Sequence, residues 1–266
     1  MTLIRWSELK TTDFPVAEPE RTIALLPVGA VEQHGPHLPL GTDSLILDAA
    51  LDRLADAPPE GVRLLRLPTQ AIGDSLEHRD FLGTLTQRAE TLIAAWTEIG
   101  RDVAAAGVRK IALINSHGGQ PQIVDVVAQR LRAEAGMLAA RINLYRFGAP
   151  EGLFTADELA FGYHGGEVET SLMLAIAPDL VAMDRAADFD NAGRGLAAEN
   201  EAFQAEGAAG FAWQAQDLNP AGAMGNAAAA DAERGAATLA HLSARLAQAL
   251  AEIADFPLDR LQAARP

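Results

Sequence analysis

Apolar residues along this chain fall into two alternating patterns. Short runs rich in Val, Ile and Leu occupy residues 22–28, 62–67, 110–115 and 138–144. Between and after them, apolar positions recur every three to four residues over 44–55, 87–106, 120–135 and 169–176. The first pattern predicts buried strands and the second amphipathic helices. Strands that alternate with helices predict an α/β protein whose mostly parallel sheet is covered on both faces. A further helix is predicted over 227–253, where Leu239, Leu242, Leu246, Leu250 and Ile253 share a core-facing stripe. Residues 188–226 break the pattern: Gly, Ala, Asn and Glu dominate, and the segment reads as a surface excursion, a subunit contact or a lid. Residues 256–266 read as a loosely packed end. All of 1–266 is read as one domain, a length sufficient to bury a large core.

Charge and composition narrow the function classes. The formal net charge is −15, with 21 basic residues spread along the chain, which argues against nucleic acid as a partner. Cysteine is absent, so disulfides, thiolate metal sites and cysteine nucleophiles are excluded. No apolar stretch approaches the roughly 18 residues of a membrane span, and the first residues lack a secretory apolar core, so a cytoplasmic location is expected.

The chemistry concentrates in Gly-rich turns next to the predicted strands. Residues 26–44, LPVGAVEQHGPHLPLGTDS, place Glu32, His34, His37 and Asp43 on one turn-rich segment after a strand. Imidazole with carboxylate is the mixed nitrogen and oxygen set that suits zinc, manganese or iron. Residues 115–120, NSHGGQ, set His117 at the carboxyl end of another strand, the edge where open α/β sheets bind ligands. In the third segment, 164–171, HGGEVETS, His164 precedes two glycines, and Glu167, Glu169 and Thr170 open a helix. Helix capping accounts for the acidic residues of this turn but not for His164. His37 suits a hydrogen bond to a ligand better than ligation. Glu77 and His78, in GDSLEHRDF, are read with equal weight as groups contacting the substrate or a metal ligand, or as a solvated turn. His241 lies on the Ala-rich helix and is read as structural. Ser44, Ser116 and Ser171 adjoin the motif histidines, yet no G-x-S-x-G elbow exists to make one a nucleophile.

Together these segments resemble the creatininase family of metal-dependent amidohydrolases. PVGAVEQHGPHLPLGTDS, GDSLEHRDFLGTLT, NSHGGQ and HGGEVETSLMLAIAPDL recur in the family's order and spacing over about residues 20–182. The resemblance implies a three-layer α/β/α sandwich, two divalent metal ions per subunit (zinc, manganese or iron), a small-molecule substrate and a homo-oligomer, most often a hexamer. It implies Glu32, His34, Asp43 and His117 as metal ligands, with Asp43 bridging, and His164 as a catalytic or substrate-orienting histidine. Creatinine-hydrolysing members carry a Tyr-Glu pair after the second-motif histidine, and that glutamate is a ligand; Gly118 and Gly119 stand there in this chain. Glu167 is taken as the replacement carboxylate, with Glu169 the alternative ligand and, beside His164, a candidate catalytic group. Residues 145–175 also lack the tryptophans that flank creatinine in those enzymes.

The expected reaction is therefore hydrolysis of a C–N bond in a small amide, cyclic amide or formamide by water activated between two ions. A histidine, whose charge changes near neutral pH, would carry the proton to the leaving nitrogen. Competing readings are a lactone or cyclic-carbonyl hydrolase, a peptidase of the same family, a carbonyl isomerase, and a non-catalytic metal-binding subunit.

Overall fold

In the computed structural model, which describes residues 3–262, five parallel strands form the central sheet. In chain order the elements are β1 (Leu3–Arg5), β2 (Thr22–Val28), α1 (Thr42–Asp56), β3 (Arg63–Arg66), α2 (Ala89–Ala105), β4 (Lys110–Asn115), α3 (Pro121–Ala135) and β5 (Leu138–Asn143). They continue with α4 (Ala156–Phe161), α5 (Glu167–Ile176), β6 (Asp188–Phe189), α6 (Gly193–Glu199), α7 (Ala215–Leu218), β7 (Gly225–Asn226) and α8 (Ala232–Asp255). The strand order is β1-β3-β2-β4-β5.

Alternation along each strand explains the layering. On β2, Ile23 and Leu25 point into one apolar core with Leu47 and Leu51 of α1, Leu172 of α5 and Leu246 of α8. Ala24, Leu26 and Val28 point into the other, with Trp96 of α2 and Val127 of α3. Successive strand side chains face opposite sides of a sheet, so a strand apolar on both faces must be covered twice. The result is the three-layer α/β/α sandwich.

The pairing fixes where chemistry can occur. Ile23 of β2 sits beside Leu64 of β3 on one side and Lys110 of β4 on the other, so the chain leaves β2 in one direction and returns past it to β4. That reversal opens a crevice at the carboxyl ends of the central strands. Loops from β3, β2 and β4 all emerge there.

The predicted strands and helices of the sandwich are all present, with bounds shifted by a few residues at the ends. Helix α5 begins at Glu167 rather than at residue 169, so both glutamates lie in its first turn. The sequence pattern gave no sign of β1, which is only 3 residues long, or of α4. The excursion over 188–226 contains α6 and α7, and its two ends pair as an antiparallel ladder, Asp188 with Asn226. Its final turn returns to the crevice, where Met224 N–H donates to the His164 carbonyl at 2.8 Å.

Two contacts lock α8 in place. Glycine at 235 lets α8 approach α5 so closely that a Cβ there would lie 1.8 Å from the Ser171 carbonyl oxygen. At the far end, the fully buried Lys110 ammonium donates to the carbonyls of Ile253, Ala254 and Phe256 at 3.1, 2.7 and 2.8 Å. The Ala254 and Phe256 carbonyls are orphan acceptors at this helix C-terminus, where a cation is favoured, and the Ile253 carbonyl also accepts from Phe256 N–H at 3.3 Å. No helix among the described residues is long and apolar enough to cross a membrane.

Candidate metal centre

Glu32 is the hub of the crevice. It lies in the loop after β2, is fully buried, and neither carboxylate oxygen has a hydrogen-bond partner. Around Oε1 stand His117 Nδ1 at 3.2 Å, His78 Nε2 at 3.5 Å and His164 Nδ1 at 3.7 Å. Asp43, in the first turn of α1, is also buried; its Oδ2 is unpartnered and lies 3.8 Å from both His34 Nε2 and His117 Nδ1.

Main-chain carbonyls set the tautomers of the imidazoles. His34 Nδ1–H donates to the Glu32 carbonyl at 3.1 Å, which leaves Nε2 as a buried lone pair without a partner. His117 Nε2–H donates to the Asp74 carbonyl at 2.8 Å, and Nδ1 faces the carboxylates. His164 Nε2–H donates to the Gln33 carbonyl at 2.5 Å, and Nδ1 again faces inward. A second-nitrogen bond of this kind is what orients a metal-binding histidine. His78 is wired the opposite way: Gln33 Nε2 donates to its Nδ1 at 2.7 Å, so its Nε2–H is a donor aimed at Glu32.

The loop after β4 is held by amides. Asn115 Nδ2 donates to the His117 carbonyl at 2.7 Å, and Asn115 Oδ1 accepts from His117 N–H at 3.1 Å and from Gln120 Nε2 at 3.0 Å. Gln120 Nε2 also reaches the Gly29 carbonyl at 3.1 Å, which ties the β4 loop to the β2 loop. Gln33 performs the same service toward the excursion, donating to the Gly222 carbonyl at 2.8 Å. The sequence reading gave Gln33 no role, because a lone glutamine in a turn carries no spacing signal.

Without metal, the cluster's electrostatics are mutually opposed. Burial pushes Glu32 up, but the surrounding His117, His78 and His164 outweigh it and hold the carboxyl well below its ordinary value. Burial, and then the Glu32 charge, push Asp43 well above the carboxylate range. His34 is depressed to about 3, first by burial and then by His164. Burial also pulls His117 down, but the fields of Glu32, Asp43 and Glu77 carry it well above an ordinary imidazole. Uncompensated carboxylates in so dry a setting are costly, and a cation removes the cost.

Three overlapping groups bring their ligand atoms within 4.8 Å of one another: Glu32 with His34 and His164, Glu32 with Glu77 and His117, and His34 with Asp43 and Glu169. Of the residues picked out in the sequence, the structure thus brings together Glu32, His34, Asp43, Glu77, His117, His164 and Glu169. It does not bring Glu167 to them. That carboxylate pairs with Arg234 of α8, while the Glu167 N–H is capped by Glu158 Oε1 of α4 at 2.7 Å. Residues two apart on a helix point roughly 200° apart, so only one of the two glutamates can face the crevice, and Glu169 faces it. His37 Nε2 sits 2.9 Å from Thr170 Oγ1, joining the β2 loop to α5. His241 lies away from the crevice, with Nε2 3.2 Å from the Phe147 carbonyl.

Residues 7–250 match the family described as creatinine amidohydrolase, the creatininases. Among curated proteins, the chain is 34% identical over 169 residues to the mycofactocin precursor peptide peptidase of Mycobacterium ulcerans, covering 60% of this chain and 61% of that protein. It is 31% identical over 187 residues to the creatinine amidohydrolase of Pseudomonas putida, covering 62% and 68%. The matched region spans less than two thirds of the peptidase. Among solved structures, a protein from Bacteroides fragilis described as a putative creatinine amidohydrolase superposes with a TM-score of 0.76 at 25% identity, covering 97% of this chain and 99% of that one. A creatininase variant described as the Zn-Zn type gives 0.72 at 27% identity, covering 95% and 98%.

Proposed function

The chain belongs to the creatininase family, and we propose that it is a metal-dependent amidohydrolase that cleaves a C–N bond of a small amide, cyclic amide or formamide. The observation that carries this reading is the arrangement of His34, His117 and His164. Each has one ring nitrogen tied to a main-chain carbonyl and the other turned toward buried, unpartnered carboxylate oxygens. A cluster that only held the fold together would pair all of these atoms; here His117 Nδ1 lies 3.2 Å from Glu32, but His34 Nε2 and Asp43 Oδ2 are buried with no partner.

In this reading His34, Asp43 and Glu169 would hold one ion and Glu32 and His117 a second, with Asp43, equidistant from His34 and His117, placed to contact either. Zinc, manganese and iron all suit this donor set. When bound, such ions polarise a carbonyl and lower the pKa of water toward neutrality. The protein's own groups do the rest. Gln33 holds the ring of His164 through its main chain, and Nδ1 of that ring carries the proton between water and leaving nitrogen. Three overlapping ligand groups give a site with more donors than one structural ion needs, which favours catalysis over a purely structural metal.

A second reading, a peptidase of the same family, is favoured by the 34% identity to the mycofactocin precursor peptide peptidase. A homo-oligomer, taken as the hexamer, belongs to the same proposal; Leu82, 99% exposed on the loop that carries Glu77, is apolar surface for a second copy to cover. Light scattering should report an oligomer at micromolar concentration, and a monomer would remove this part.

The functional reading is tested by purifying the chain without chelator, measuring zinc, manganese and iron, and screening cyclic amides, formamides, lactones and short peptides by mass spectrometry. About two ions per chain and a product heavier by one water are expected. Full activity in a metal-free protein, or a product of unchanged mass, would overturn it.

A further inference from the structure

Gly119 and Glu77 compete for one space. A Cβ at position 119 would lie 1.9 Å from Glu77 Oε1 and 2.6 Å from His117 Nε2. The backbone does not demand glycine there, since Gly119 is not among the glycines with positive φ. What requires glycine is the carboxylate that occupies the place of its side chain.

Glu77 arrives from the loop after β3, on the short turn Leu76–His78. With Glu32 and His117 its carboxylate completes a group whose ligand atoms all fall within 4.8 Å of one another. Glu32 and His117 are 0% and 2% exposed at their side chains, whereas Glu77 is 17% exposed, so it closes the centre on the solvent side. Charge points the same way. Glu32, Asp43 and Glu169 supply three negative charges against the four positive charges of two divalent ions, and Glu77 supplies the fourth. A buried centre gains most when its charges balance.

We propose that Glu77 is a ligand of the ion held by Glu32 and His117, and that Gly119 is glycine so as to admit it. This rests on the two-ion reading above. Glu77 thereby leaves the β3 loop directly attached to the metal, and the centre draws ligands from the loops of all three adjacent strands β3, β2 and β4.

The test uses metal-free full-length chain titrated with zinc alone, competed against a chelator of known affinity. The variants are Glu77→Gln, Gly119→Ala, Glu77→Ala and the double variant Glu77→Ala with Gly119→Ala, each checked for folding by circular dichroism. Glu77→Gln and Gly119→Ala should each bind one ion as the parent does and the other at least about tenfold more weakly, the scale of losing a group that holds a metal. On the Glu77→Ala background, Gly119→Ala should change neither affinity by more than about twofold, because no carboxylate remains to displace. Parental affinity for both ions in Glu77→Gln would overturn the proposal. So would a Gly119→Ala effect that is equally large with and without Glu77, which would mark a packing defect. A parent chain that binds no zinc would overturn the two-ion reading itself and the Glu77 assignment with it.

Discussion

Glu167 and Glu169 sit two residues apart in the first turn of α5 and serve opposite sides of it. Glu169 Oε2 accepts from Gly165 N–H at 2.6 Å and shares a ligand group with His34 and Asp43. Glu167 pairs with Arg234 and so fastens α5 to α8. Glu169→Gln should therefore weaken zinc at the His34 end by at least about tenfold. Glu167→Gln should leave metal content intact and cost about 1–3 kcal/mol of stability, the worth of a largely buried ion pair that loses one partner. Metal analysis with urea unfolding separates the two; a metal-depleted Glu167→Gln would reverse the assignment.

His164 stacks between His34 and His78, with ring centroids 4.0 and 4.1 Å away. Its Nδ1 faces Glu32 at 3.7 Å, close enough to the proposed ions to move a proton. Under the proposed mechanism, His164→Ala keeps both ions and loses about 10²- to 10⁴-fold in turnover, the range of a positioned acid or base. Loss of an ion instead would make His164 a ligand, and unchanged turnover would remove it from the reaction.

The β2 and β4 strands were legible because their apolar cores are uninterrupted and end at Gly-bearing or polar turns, and β5 was legible although the exposed Arg141 breaks its run. The three ligand-bearing turns were legible for the same reason: each follows or precedes such a run, so the sheet topology gathers them. Two things were not legible. The phase of α5 was misplaced because Gly165 and Gly166 hide the helix start, and a two-residue error in the start leaves the choice between Glu167 and Glu169 open. The fold-back of the excursion was also hidden, since Gln33 with Gly222 and His164 with Met224 join residues far apart in sequence through backbone carbonyls. Such bonds are made by groups every residue carries, and no side-chain pattern marks them.

Lys110 offers a test of stability apart from the site. It opens β4, whereas His117 follows the strand's other end, roughly 20 Å away at about 3.3 Å per residue. Lys110→Met keeps the bulk but strands the carbonyls of Ala254 and Phe256, which the ammonium now satisfies, and leaves the Ile253 carbonyl with the Phe256 N–H alone. The expected cost is about 2–4 kcal/mol, since a buried acceptor left unmade costs about 1–3 kcal/mol. Metal content in the folded fraction should not change. Unfolding at the parental urea midpoint would show that α8 is held by its apolar stripe alone.

Acid destabilises the folded chain through His78. His78 is depressed to about 2, first by burial and then by His164, whereas an unfolded imidazole titrates near 6.5. As pH falls below about 6.5 the unfolded chain takes up a proton at this position and the folded chain does not. The folded state therefore loses up to about 1.4 kcal/mol per pH unit through His78, progressively down to about 2. This is opposite in sign to a histidine stabilised by protonation, whose contribution is present in acid and lost as pH rises. Other buried groups titrate in the same window, so the clean observable is a difference. In chelator-treated protein, His78→Gln should be less stable than the parent at pH 7, because Glu32 loses the imidazole donor at 3.5 Å. The gap between the two should close by about 0.7 kcal/mol from pH 7 to 6 and about 1.2 kcal/mol from pH 6 to 5, approaching about 1.4 kcal/mol per unit at lower pH. Urea unfolding of both proteins at pH 7, 6 and 5 measures it, and parallel pH profiles would mean that His78 is not held neutral in the folded chain.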